Sequence, residues 1–108
     1  MKVGIVVSDF NKEVTRMMEV EGKNTAQQHD IEVKETLHVP GVYDTPFAVQ
    51  TLFKRQDIDA VCVYGAILKG ETDHDQVIGT ATAKTLQELS LKFHKPLAFC
   101  IAGPGMGY

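Results

Sequence analysis

The stretch Ala60-Val-Cys-Val-Tyr-Gly-Ala-Ile-Leu68 carries the strongest strand signal in the chain and decides the fold. It is a continuous apolar run of strand length. A run without alternation marks a strand covered on both faces, as in a parallel sheet. Val3-Gly-Ile-Val-Val7 repeats the signature near the start, and Ser8-Asp9 closes it. Outside these runs the pattern changes. Asn11 to about Gln28 reads as a helix with Val14, Met17 and Met18 at i, i+3 and i+4, while Gly22 and Asn24 weaken its second half. Ile31 to Val39 alternates through Ile31, Val33, Leu37 and Val39, which suits a half-covered edge strand. Thr45-Pro46 supplies an N-cap and a proline at the first helical position. That helix runs to about Arg55, with Ala48, Val49, Leu52 and Phe53 inward. Asp75 to about Phe93 is the longest helix, and Pro96 to Ile101 is a last strand ended by Gly103-Pro104-Gly105.

The order is therefore βαβαβαβ. Such alternation implies an α/β fold with right-handed crossovers. The expected architecture is a three-layer α/β/α domain with a four-stranded parallel sheet in the flavodoxin-like strand order 2-1-3-4. In such sheets ligands bind outside the carboxyl ends of the strands.

Composition sets outer limits. The 108 residues form one domain without linker or repeat. A net charge of −3 supplies no basic field, so nucleic acid is not the expected partner and an anionic substrate needs a local binding device. Cys62 and Cys100 lie in apolar runs without metal or redox spacing, which reads as buried free thiols in a reducing cytosol. The first apolar run is too short for a secretion leader, and nothing approaches a membrane span, so a cytoplasmic location is expected.

The turns at the carboxyl ends hold the unusual chemistry. Ser8-Asp9-Phe10-Asn11, Pro40-Gly41-Val42-Tyr43-Asp44, Gly70-Glu71-Thr72-Asp73-His74-Asp75 and Ala102-Gly103-Pro104 all fall on one rim. The opposite rim, near His29-Asp30, Gln56-Asp57 and His94-Lys95, is plain polar turn. Gly70-Glu71-Thr72 precedes the long helix, where backbone N–H groups favour an anion such as phosphate; an ordinary capping turn explains the same residues equally well. His74 suits a general acid or base, against a surface histidine. Glu71, Asp73, His74 and Asp75 are too close in sequence to converge on one metal ion. Phe10 suits stacking on a planar ring, against a staple onto the first helix. Asp44 suits a polyol, against capping help to Thr45. Phe99 reads as core, and His29, His38 and His94 as turn or surface residues.

Taken together, VSDFN at 7–11, VPGVYDTP at 39–46, GAILKGETDH at 65–74, AKTLQELSLKFHKP at 83–96 and FCIAGPGM at 99–106 resemble the lumazine synthase family. The aspartate after His74 and the GPGM stretch look like its archaeal branch, which also uses aspartate where many members have a glutamate in place of Asp44. The resemblance implies condensation of 5-amino-6-(D-ribitylamino)uracil with 3,4-dihydroxy-2-butanone 4-phosphate, releasing water and phosphate, with no cofactor and no metal. It implies that Phe10 stacks on the pyrimidine and that the backbone of Val42 and Tyr43, with the Asp44 carboxylate, holds that substrate. Ala66, Ile67 and Leu68 would read the uracil edge through their backbone, Glu71 and Thr72 would bind phosphate, and His74 would move the proton. Phe99 would enter from a neighbouring subunit. The small-residue run Gly79-Thr-Ala-Thr-Ala83 would line the axis of a pentamer, and pentamers can close into a sixty-subunit shell. Family members continue past GPGM with a phosphate-clamping arginine and a long helix. Arg16 and Arg55 sit in other elements, so the sequence is expected to be part of a longer chain. Two other readings stand beside this one. An archaeal-type riboflavin synthase is disfavoured by the SDFN and GETDH stretches, and a non-catalytic cage-forming or ligand-binding protein would share the fold.

Overall fold

A computed structural model describes residues 1–68 and 74–106, with side chains for 1–66 and 79–100. Four strands, β1 (Lys2–Ser8), β2 (Glu32–Val39), β3 (Ala60–Leu68) and β4 (Leu97–Met106), alternate with three helices, α1 (Lys12–Gln28), α2 (Thr45–Phe53) and α3 (His74–Phe93). All strand pairs are parallel and the spatial order is β2-β1-β3-β4, as the apolar runs imply.

The described side chains of the two central runs are buried, apart from a partly buried Cys62, because helices pack on both faces. On one face Val6, Val61 and Val63 pack with Ala48, Val49, Leu52 and Phe53 of α2 and Leu86 of α3. On the other, Ile5, Val7 and Tyr64 pack with Met18 of α1. Gly4 lets Leu52 press onto β1, since a Cβ there would sit 2.8 Å from Leu52 Cδ1. The four inward positions read for α2 are all buried.

Five local features differ from the sequence reading. Met17 is 70% exposed, and the line of α1 that faces the sheet runs through Thr15, Met18, Gly22 and Ala26 instead. Small residues along it let the helix sit close, and a Cβ on Gly22 would lie 2.6 Å from Tyr64 Cζ. The register of β2 against β1 slips between Val3 and Gly4, so that Val33 pairs with Val3 but Glu35 with Gly4. One extra residue flips the side-chain phase of a strand. Val33 therefore joins the α1 face while Leu37 and Val39 join the α2 face. Thr45 is the first helical residue of α2 and not its cap; the N-cap position falls on Asp44. Strand β4 continues past Gly103-Pro104-Gly105, pairing Met106 with Leu68. An edge strand tolerates a proline because one row of its backbone groups lacks a partner strand. Finally, Cys100 is exposed; Cys62 is partly buried, and burial raises its thiol pKa.

The amino-end rim is a structural clasp. Lys95 Nζ donates to the carbonyls of Phe53 at 2.8 Å and Arg55 at 2.7 Å, satisfying the C-terminal end of α2. Arg55 donates to both carboxylate oxygens of Asp57 and to Glu35. The hydrogen bond from Arg55 holds the Asp57 carboxyl below its usual range.

Candidate active site at the carboxyl rim

The end of β1 turns sharply into α1. The Asp9 N–H donates to Val39 O at 2.7 Å, extending the β1–β2 ladder by one rung. Asn11 then adopts a left-handed conformation with φ of 65°, a region that Asn tolerates better than most residues. Its carbonyl receives the N–H groups of Val14 and Thr15 at 3.0 and 3.2 Å, which starts the helix. Phe10, held between these two residues, is 60% exposed. It joins neither apolar cluster, and much of the ring is open to solution.

The end of β2 builds a second wall. A single 3-10 turn, Val42–Asp44, buries Val42 and leaves Tyr43 69% exposed. The Thr45 hydroxyl donates to Val42 O at 2.7 Å and fixes that turn from below. Asp44 Oδ2 accepts the Gly41 N–H at 3.0 Å. The carboxylate is thus oriented by its own turn while the side chain remains exposed, with acceptor capacity to spare.

The end of β3 lies on the same rim. Ala66 is fully buried and pairs with Ala102, and the backbone of Ile67 and Leu68 completes the strand. The side chains of Ile67, Leu68 and His74 lie outside the described residues, as do Glu71 and Thr72 altogether. His74 is placed by its backbone as the first residue of α3.

Phe99 is not brought to this rim within its own chain. It pairs with Val63 in mid-strand and lines an open groove of about 280 Å³ with Ala83, Leu86, Gln87, Ser90 and Leu97. The groove lies between α3 and the edge strand β4, and Phe99 is 40% exposed there.

The structure adds partners to a residue that reads in the sequence only as a turn or surface histidine. His38 is in β2, with Nδ1 2.8 Å from Asp9 Oδ1 and Nε2 3.3 Å from Glu19 Oε1. Lys12, Thr15 and Arg16 line the same small pocket. Only the pairing of Ser8 with Val39, which brings the two strand ends level, reveals this cluster. A larger cavity than either of these lies elsewhere among the described residues. It is an apolar groove of about 610 Å³ beside α1, lined by Ile5, Met18, Gly22, Cys62, Tyr64 and Ala98 among others, and it holds none of the rim residues.

The exposed aromatic, the oriented carboxylate and the strand ends lie on the carboxyl rim of a parallel α/β sheet, the rim where such sheets bind their ligands. No helix among the described residues is long and apolar enough to cross a membrane. The chain belongs to the 6,7-dimethyl-8-ribityllumazine synthase family, whose profile matches residues 1–106. A relative of that name from Halobacterium salinarum is 49% identical over 105 residues, covering 97% of this chain and 79% of the relative. One from Methanosarcina mazei is 46% identical over 106 residues, covering 98% and 79%. One from Archaeoglobus fulgidus is 41% identical over 107 residues, covering 99% and 75%. These archaeal sources agree with the branch that the aspartate after His74 suggests.

Proposed function

We propose that this chain is a transferase of riboflavin biosynthesis that forms 6,7-dimethyl-8-ribityllumazine from 5-amino-6-(D-ribitylamino)uracil and 3,4-dihydroxy-2-butanone 4-phosphate. The observation that carries the reading is the exposed Phe10 after β1 and the oriented Asp44 turn after the paired strand β2, in a chain of this family. Phe10 stacks on the pyrimidine. The backbone of Val42 and Tyr43 and the Asp44 carboxylate hold the ribityl side, and the backbone of Ala66, Ile67 and Leu68 reads the uracil edge. Glu71 and Thr72 bind the phosphate of the second substrate.

The substrate's own amine attacks the butanone carbonyl, so the imine needs no enzyme lysine, metal or organic cofactor. His74 transfers the proton. Holding two substrates in register contributes up to ~7–11 kcal/mol to such a reaction. The proton-transfer residue adds about 10²–10⁴-fold. The working form is a soluble cytoplasmic homo-oligomer, a pentamer or a shell of pentamers. Phe99 of one subunit, on the outward edge of the sheet, completes the site of the next.

The test is lumazine formation from the two substrates, followed by absorbance, for the wild type and His74→Ala. The expected result is product from the wild type and a slowed but measurable rate in the variant. A folded wild type that binds the pyrimidine but makes no product refutes the catalytic reading. Complete loss in His74→Ala, with binding intact, refutes the division of labour between positioning and proton transfer.

A further inference from the structure

Phe10 is 60% exposed and belongs to neither apolar cluster, so the core does little to fix its direction. Its position is set by its neighbours. Asn11 supplies the left-handed bend, and Asp9 is held twice: by its N–H on Val39 O at 2.7 Å and by its carboxylate on His38 at 2.8 Å. His38 in turn reaches Glu19 of α1 at 3.3 Å, and Glu19 is braced by Lys23 at 2.6 Å. The imidazole therefore ties three segments together: the strand that leads to the Asp44 turn, the turn that carries Phe10, and the helix that follows it.

We propose that His38 is a positioning residue that locks the Asp9-Phe10-Asn11 turn and so presets the ring of Phe10 for its planar substrate. The proposal rests on the stacking role given to Phe10 above. His38 is not placed to exchange protons with that substrate, because each of its ring nitrogens faces a carboxylate. Carboxylates only accept, so the ring donates to Asp9 through Nδ1, and it donates to Glu19 as well when doubly protonated. Lys12 and Arg16 of α1, lining the same pocket, and Lys23 balance the two carboxylates. A turn ordered before binding spares the substrate the cost of ordering it.

The test compares wild type, His38→Ala, His38→Asn, Asp9→Ala and the double variant His38→Ala/Asp9→Ala in steady-state kinetics. Loss of one such hydrogen bond predicts a rise of about 3–10-fold in KM for the ribitylaminouracil. The KM for the butanone phosphate and kcat stay within about two-fold. Asparagine places an amide near the Nδ1 position, so His38→Asn recovers part of the loss. The double variant is no worse than either single one, since both break the same link.

Hydrogen exchange at the amides of residues 10–12 supplies a readout independent of activity, and it quickens in His38→Ala while the melting temperature barely moves. An unchanged pyrimidine KM with unchanged exchange overturns the proposal. A fall in kcat at constant KM also overturns it, because that marks proton transfer. Phe10→Ala is the control for the underlying reading. If it leaves the pyrimidine KM unchanged, stacking is wrong, and the exchange rates alone then decide whether His38 locks the turn.

Discussion

Replacing Gly22 by alanine tests how closely α1 sits on the sheet. In an open helix the substitution stabilises by up to about 1 kcal/mol, because glycine is a poor helix former. Here the added Cβ would lie 2.6 Å from Tyr64 Cζ and 3.0 Å from Cε2, with the hydroxyl closer still. Tyr64 packs with Ile5, Val7, Met18 and Cys62, and it gives up part of that packing if it swings aside into the groove beside α1. Overpacking of this kind costs about 1–3 kcal/mol. With the full helix gain set against it, the net effect is a loss of up to about 2 kcal/mol, or a melting-temperature drop of up to about 10 °C for a chain of this size. Thermal and urea unfolding, followed by circular dichroism at matched protein concentration, measure it. In a Tyr64→Ala background the clash is gone, so Gly22→Ala becomes neutral or stabilising there. A higher melting temperature for Gly22→Ala in the otherwise wild-type chain would refute the reasoning, because it would mean that the tyrosine does not lie under α1.

Leu52→Ala removes a side chain that is 1% exposed at the centre of the α2 face, and urea unfolding should show a loss of about 2–5 kcal/mol. A loss below 1 kcal/mol would contradict the packing of Leu52 onto β1. Burial pushes the Tyr64 phenol up to about 12 from an ordinary 10, with a smaller push from Cys62. The folded state favours the neutral phenol, so this contribution is complete below pH 10 and is lost as pH rises from 10 towards 12. The difference in tyrosinate absorbance between wild type and Tyr64→Phe should have a midpoint near 12, and a midpoint near 10 would argue that the ring is solvated.

The elements were legible because each uses a strong local code. The β-branched runs at Val3–Val7 and Ala60–Leu68 can bury every residue only in a covered parallel sheet, and both became its centre. Thr45-Pro46 marked the start of α2 to within one residue. The faces were less legible. Apolar spacing on α1 pointed to Met17, yet the helix turns Gly22 and Thr15 to the sheet because close approach there requires small side chains. Alternation in β2 could not show the slip beside Lys34, which reverses the faces of Val33 and Leu37. The rim was legible as a set of unusual turns, and Phe10, Tyr43 and Asp44 do open to solution on it.

By itself the sequence determined the α/β architecture with β1 and β3 as its covered strands, and the family, and it marked one rim as the expected place of the chemistry. These follow from runs and motifs that are contiguous in the chain. Only the tertiary structure decided which distant residues meet. His38 lies 29 positions from Asp9 and faces it because Ser8 and Val39 end level in the sheet. Phe99 lies short of the rim because it pairs with Val63 in mid-strand, on the edge strand β4. Register and layer are properties of pairing between segments, and no local pattern of apolar and polar residues encodes them.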